Sequence, residues 1–242
     1  MFDLSKSKEL KGRHEGATFL VAGCAPSLAD LELYPPSEVI SIGPNRILNH
    51  PHFVPNYVML CDRLPYSLDH QMGVYHQFVG DVTYLASTTI WDPKIKCRGM
   101  EVLPQPDFPY YPWRVGTTGS PINLDSLEVP LCSFGTIAGP MIQAAAIMGA
   151  KRIGVVGVDF IAPKVGPAHF YEEGKGEGQL DNRAPWGKDT ISLAPVRFED
   201  RFTELRRRLK GLGIEIVNLS PVKDTPFSSI FGNEDFEEWI NA

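Results

Sequence analysis

Six short apolar runs constrain this chain more than any other feature. They are ATFLVAG (17–23), EVISIG (38–43), NYVMLCD (56–62), DVTYLAS (81–87), KRIGVVGVDF (151–160) and IEIVNLS (214–220). Their apolar character is near-continuous rather than alternating, which marks strands buried on both faces of a parallel sheet. The run 151–160 is the clearest of them.

Helical patterns stand between the later runs. FGTIAGPMIQAAAIMGA (134–150) is small and apolar throughout, so it predicts a buried, closely packed helix. Pro140 is tolerable near its first turn and Gly149 suits its C-cap. PVRFEDRFTELRRRLKGLG (195–213) sets Phe198, Phe202, Leu205 and Leu209 on one face and stops at Gly213. SLADL, starting at Ser27, reads as a possible further helix behind the first strand. Strands alternating with helices predict an α/β fold: a Rossmann-like open, mostly parallel sheet with helices on both faces.

The organisation expected is one domain with appendages. Residues 1–15 form a polar N-terminal segment and 16–220 a single Rossmann-like domain. Within it, 88–132 contains PQPDFPYYPW, where no regular helix fits, and is expected to be an irregular but ordered excursion. Residues 161–195 are polar and rich in Gly, Pro and charge, which suits a lid-like loop. The tail 221–242 is expected to pack through Phe227, Phe231, Phe236 and Trp239.

Composition narrows the function classes. The chain carries 23 Lys and Arg against 29 Asp and Glu, a net charge of -6. A nucleic-acid surface needs clustered cations, so that class is disfavoured. A small anionic ligand stays compatible with one local positive pocket. Cys24, Cys61, Cys97 and Cys132 form no C-x-x-C pair and lie in or near apolar runs. They read as buried thiols of a reducing compartment, with no disulfide framework or metal site. There is no apolar signal core at the start, and no run approaches the roughly 20 residues of a membrane span. The expectation is a cytoplasmic protein without a transmembrane segment; a homo-oligomer is left open.

In open α/β sheets, ligands bind beyond the carboxyl ends of the strands. Gly23 permits a sharp turn after the first strand, with Cys24 following it, Pro26 presetting a helical turn and Ser27 as its cap. N–H groups at such a helix start favour an anion. Asn45 follows the second strand and can offer both a donor and an acceptor to a base or sugar. Asp62 follows the third and can take a sugar hydroxyl or a metal, or alternatively cap a helix or pair with Arg63. Thr136 opens the small-residue helix, where a phosphate can sit. Asp159 ends the best strand, suited to ribose or metal. His169, in the long loop, can deprotonate an acceptor hydroxyl. Lys164, Arg183 and Lys188 share that loop and can close over phosphates.

Taken together, FLVAGCAPSL, VISIGPNR, PNYVMLCD and GTIAGPMIQAAAIMGAKRIGVVGVDF with a following histidine resemble the bacterial CMP-sialic-acid-dependent sialyltransferases. They are also similar to the motility accessory factor glycosyltransferases and the archaeal 6-hydroxymethylpterin diphosphokinases. The resemblance covers most of 17–220, apart from 88–132, and is most specific at Gly157-Val158-Asp159-Phe160. It implies a transferase that moves a sugar from a CMP-type nucleotide-sugar donor to a hydroxyl acceptor, or a Mg²⁺-dependent pterin-type diphosphokinase. A nucleotide-binding relative without catalysis is the third reading. By resemblance, Gly23, Cys24, Ser27, Asn45, Asp62, Thr136 and Asp159 bind nucleotide. His169 is placed as the general base, and the partner for the leaving phosphate would come from Tyr171, Lys164 or Arg183, or be absent. No resident metal is implied for the glycosyltransferase. Two departures stand out. Cys24 and Ala25 replace an Asn and a Gly of the sialyltransferase turn. Ile161 stands where the first of two leaving-group tyrosines is expected, and the next tyrosine is Tyr171.

Overall fold

The computed structural model describes residues 3–29, 31–92, 103, 105–158, 198–223 and 225–242. Its centre is a seven-stranded sheet: β1 (Ala17–Ala22), β2 (Val39–Pro44), β3 (Tyr57–Leu60), β4 (Thr83–Ser87), β5 (Tyr110–Trp113), β8 (Ala150–Val156) and β9 (Glu215–Asn218). A separate pair joins β6 (Val115–Gly116) to β7 (Leu131–Cys132). The order is β5-β4-β3-β2-β1-β8-β9, and every described pairing in it is parallel. The six apolar runs are its six strands other than β5. The fold is therefore α/β and Rossmann-like, as the runs predict.

Alternate residues of each strand enter two separate cores. Phe19, Val21, Met59, Leu85 and Val155 face one; Leu20, Ala22, Val58, Ala86 and Val156 face the other. This is why the runs are apolar at every position. The first core is covered by α2 (Ala138–Ile147), α3 (Phe198–Gly211) and α4 (Pro226–Phe231), through Met141, Ile142, Phe202, Leu205, Leu209, Phe227 and Phe231. The second is covered by α1 (Arg63–Gln71), short 3-10 turns and α5 (Phe236–Ile240), with Tyr66, Tyr75 and Trp239 buried there. Both faces thus carry helices, and all four tail aromatics pack inward. Among the described residues, no helix is long and apolar enough to cross a membrane.

Three local outcomes differ from the sequence expectation or refine it. No α-helix starts at Ser27: Pro26–Leu28 is a single 3-10 turn. Pro35 and Pro36 close the following segment and disfavour helical conformation at Tyr34, which limits any helix there to less than two turns. In 88–132, Tyr110–Trp113 is a regular strand despite Pro112. It lies at the sheet edge, where a missing N–H is tolerated. Residues Ser5–Leu10 form a 3-10 helix that buries Leu10 in the first core. The segment then runs along the end of α2, with Gly12, His14 and Gly16 N–H donating to the carbonyls of Ile147, Met148 and Gly149 at 2.8–2.9 Å.

α2 behaves as predicted. Pro140 sits in its first turn, and Gly149 just beyond its end takes φ +103°. One polar side chain lies on this apolar helix. Gln143 is fully buried and completely partnered: its Oε1 accepts from Asn123 N–H at 3.0 Å and Cys132 N–H at 3.2 Å. Its Nε2 donates to the carbonyls of Cys132 and Gly139 at 2.8 and 2.9 Å. It thereby holds the β7 end to the helix. Gln143→Leu leaves the N–H groups of Asn123 and Cys132 and the Cys132 carbonyl without this partner in a dry site, while the Gly139 carbonyl keeps its helical bond. At about 1 kcal/mol or more per orphaned group, the loss should be about 3 kcal/mol, read as a lowered urea midpoint.

Candidate functional site

The strand order turns back at β1. The chain leaves β1 towards β2, β3, β4 and β5, then returns to lay β8 and β9 on the other side. The carboxyl ends of β1 and β8 therefore flank the switch point where such sheets bind ligands. There is no room for side chains between them. Gly23 N–H donates to Val156 carbonyl and Ala25 N–H to Gly157 carbonyl at 2.8 and 2.9 Å. A Cβ on Gly23 would overlap the Gly157 carbonyl, and Gly157 itself takes φ +64°.

From this point a line of polar groups follows the rim. Ser27 Oγ lies 3.3 Å from Ser220 Oγ, just past β9. Half-buried Cys24 directs its thiol towards the Pro44 carbonyl at 3.8 Å, at the end of β2. Asn45, next along, adopts a left-handed conformation with φ 38°. Its Oδ1 accepts from Cys61 N–H at 3.1 Å, which fixes the amide so that Nδ2 donates to Asp62 Oδ2 at 2.8 Å. The structure thus joins Asn45 and Asp62, two residues that sequence reasoning had only set at neighbouring strand ends. Asp62 is exposed; it makes no capping bond to α1. Arg63 turns away to the carbonyls of Thr89, at 3.2 Å, and Asp92. A non-glycine residue held at positive φ is uncommon and clusters at functional positions.

Two expectations for these residues change. Ser27 caps no helix, and the N–H groups of Gly23, Ala25 and Leu28 already bond within the protein. The β1 turn is therefore not the helix-start anion cradle that its sequence suggests. Asn45 has both its carbonyl and one amide hydrogen engaged, so it orients Asp62 more than it reads a ligand by itself.

Thr136 precedes α2, the helix that packs on β1, β2 and β8 and leads into β8. Running antiparallel to that strand, α2 brings its amino end to the same edge of the sheet. Thr136 Oγ1 accepts from Ala138 N–H at 3.3 Å, in a cap-like role. The approach is bent by left-handed Phe134 and Gly135, at φ 52° and 79°. Asp159, His169 and Tyr171, with Ile161, Lys164, Arg183, Lys188 and the whole lid-like stretch, lie outside the described residues.

Two of the described cysteines are poorly suited to nucleophilic chemistry. Burial pushes the Cys61 thiol well above its ordinary value, helped by the neighbouring Asp62 carboxylate, and burial also raises Cys132. Neither is a ready thiolate. Cys24, Cys61 and Cys132 are in no disulfide.

Sequence reasoning missed what holds this rim in place. Asp69, on α1, is fully buried beneath it. Its Oδ1 accepts from Arg46 Nε at 3.1 Å and its Oδ2 from Asn49 Nδ2 at 3.2 Å. His50 Nε2, one residue further, meets the Leu28 carbonyl at 3.0 Å and so ties this turn to the one after β1. The available signal was a carboxylate three residues after Tyr66, on the apolar face of a helix.

These features define a class: a Rossmann-like α/β protein with an amide–carboxylate pair at the carboxyl ends of β2 and β3. No family model, curated protein or solved structure matches the chain.

Burial raises the Asp69 carboxyl above its ordinary value, against the lowering effect of Arg46 and Asn49. A carboxyl raised in the folded state favours folding only in acid, and that contribution is lost as pH rises through the folded value. At neutral pH the buried charge opposes folding unless it is paired. Arg46→Met should therefore cost about 3–5 kcal/mol, and the double variant Arg46→Met/Asp69→Leu should regain most of it. Denaturant melts of the four proteins in this cycle test the pairing; a double variant no more stable than the single one contradicts it.

Proposed function

We propose that the chain binds a nucleotide-activated sugar along the carboxyl rim of β1, β2, β3 and β8 and transfers the sugar to a hydroxyl acceptor. The observation that carries this reading is the Asn45–Asp62 pair, an exposed carboxylate held by a left-handed asparagine at the carboxyl ends of β2 and β3. A fixed carboxylate accepts hydrogen bonds from ribose or sugar hydroxyls but repels phosphate. The donor's hydroxyls therefore belong at Asp62. The sequence resemblance assigns its phosphate to Thr136, further along the edge, where the positive end of the α2 dipole favours an anion. The sequence resemblance supports a CMP-type donor, with His169 as the base that takes the acceptor proton and Tyr171 or a loop cation beside the departing phosphate.

Exposure of the Asp62 carboxylate favours a second reading, in which it holds Mg²⁺ for diphosphoryl transfer to a pterin-type alcohol. Melting curves with CMP and with ATP plus Mg²⁺ separate the two, because a ligand specific to the native state raises its midpoint. Under the first reading CMP raises the midpoint without metal. Asn45→Ala, which frees Asp62 to swing, should weaken CMP about tenfold. His169→Ala should keep CMP binding and lose transfer. Transfer at the wild-type rate in His169→Ala removes that residue as the base, and no shift with any nucleotide removes both readings.

A further inference from the structure

A second constellation lies at the opposite edge of the sheet. α1 leaves the carboxyl end of β3 and runs back, so its last turn carries His70 to the amino edge. His76 lies in the 3-10 turn Tyr75–Phe78 that leads towards β4, and Asp107 lies just ahead of β5. One ligating atom from each converges: the three lie within 4.8 Å of one another. His70 Nε2 is 3.3 Å and His76 Nε2 3.2 Å from the same oxygen, Asp107 Oδ1.

We propose that His70, His76 and Asp107 form a zinc site that clips α1, the 75–78 turn and the strand-leading segment together. The spacing fits the ion. Ligands at about 2.0–2.1 Å from a tetrahedral zinc sit about 3.3 Å apart, so two of the three edges already have the required length. The donor set, two imidazole nitrogens and one carboxylate, suits zinc and poorly suits Mg²⁺ or Ca²⁺, which need oxygen ligands.

Both rings are steadied before any ion arrives. His70 rests against Tyr66 at 5.3 Å between ring centres and His76 against Phe108 at 5.9 Å. Tyr66 is buried in the core and Phe108 nearly so, which limits how far the imidazoles can turn. The side chains are 23%, 45% and 65% exposed, so an ion can enter from solvent and a water can complete the tetrahedron. Three protein ligands with a fourth position open to water is the arrangement of accessible zinc centres. The site is distinct from the rim: one lies at the amino edge of the sheet, the other at the carboxyl edge.

The test uses the full chain without an affinity tag, stripped with chelator and titrated with Zn²⁺ by calorimetry. One equivalent should bind, zinc should raise the melting midpoint, and Mg²⁺ should do neither. His70→Gln and His76→Gln, both at solvent-accessible positions, should each weaken zinc about tenfold or more, while exposed His52→Gln keeps wild-type affinity. Co²⁺ in place of zinc should give the visible absorption of a low-coordinate site in the wild type and lose it in both variants. The proposal is overturned if the wild type binds no zinc, or if both glutamine variants bind it as the wild type does.

Discussion

A buried carboxylate, Asp69, is the interaction on which the rim depends. It costs free energy to place a charge beneath the second core, and that cost is offset only if Arg46 and Asn49 stay on it. Those two residues belong to the turn after β2, so the turn has one acceptable position. Asn45, immediately before Arg46, is carried into its left-handed conformation and onto Asp62. His50, at the far end of the same turn, reaches the Leu28 carbonyl and ties down the loop after β1. One desolvated charge in a helix thus organises the exits of three strands. A hydrophobic residue in its place would fill the space but would not specify where the turn goes.

The electrostatics of the edge follow from which crossovers kept helices. Among the described residues, the connections after β1 and β2 hold only 3-10 turns, so no long helix there points its positive end at the first two strand exits. α2, ten residues long, does present its amino end there. The rim is therefore divided: a carboxylate at the β3 side and the positive end of the α2 dipole at the other. The proposal of a ligand with hydroxyls at one end and a phosphate at the other rests on that division.

Much of this was legible in the sequence, and the remainder was hidden for identifiable reasons. Continuous apolar runs give both the strands and their parallel pairing, because only a sheet covered on both faces makes every position apolar. Gly149 and Gly213 mark helix ends by conformational need. β5 was obscured because Pro112 and its aromatic neighbours read as irregular, and a sheet edge is the one place where a strand accepts a proline. The helix expected at Ser27 is only a 3-10 turn, because a local start signal does not supply the length of chain before Pro35-Pro36 that a stable helix needs. At the site, single positions were readable as strand exits, but their partnerships were not. Asn45 meets Asp62 across 17 residues and Arg46 meets Asp69 across 23. Spacing in sequence carries no trace of such contacts when the connecting turns are irregular.

The docking of Ser5–Leu10 has a consequence for association between chains. β5 is an outer strand, and its unpaired carbonyls would ordinarily invite another strand. Here Lys6 Nζ donates to the Tyr110 carbonyl at 3.1 Å and Ser7 Oγ to that of Pro112. Two outward acceptors of the edge are thus already occupied by side chains, and Pro112 supplies no donor between them. The amino-terminal turn works as a guard along this border of the sheet, so β-strand addition at β5 first requires displacing Leu10 from the core.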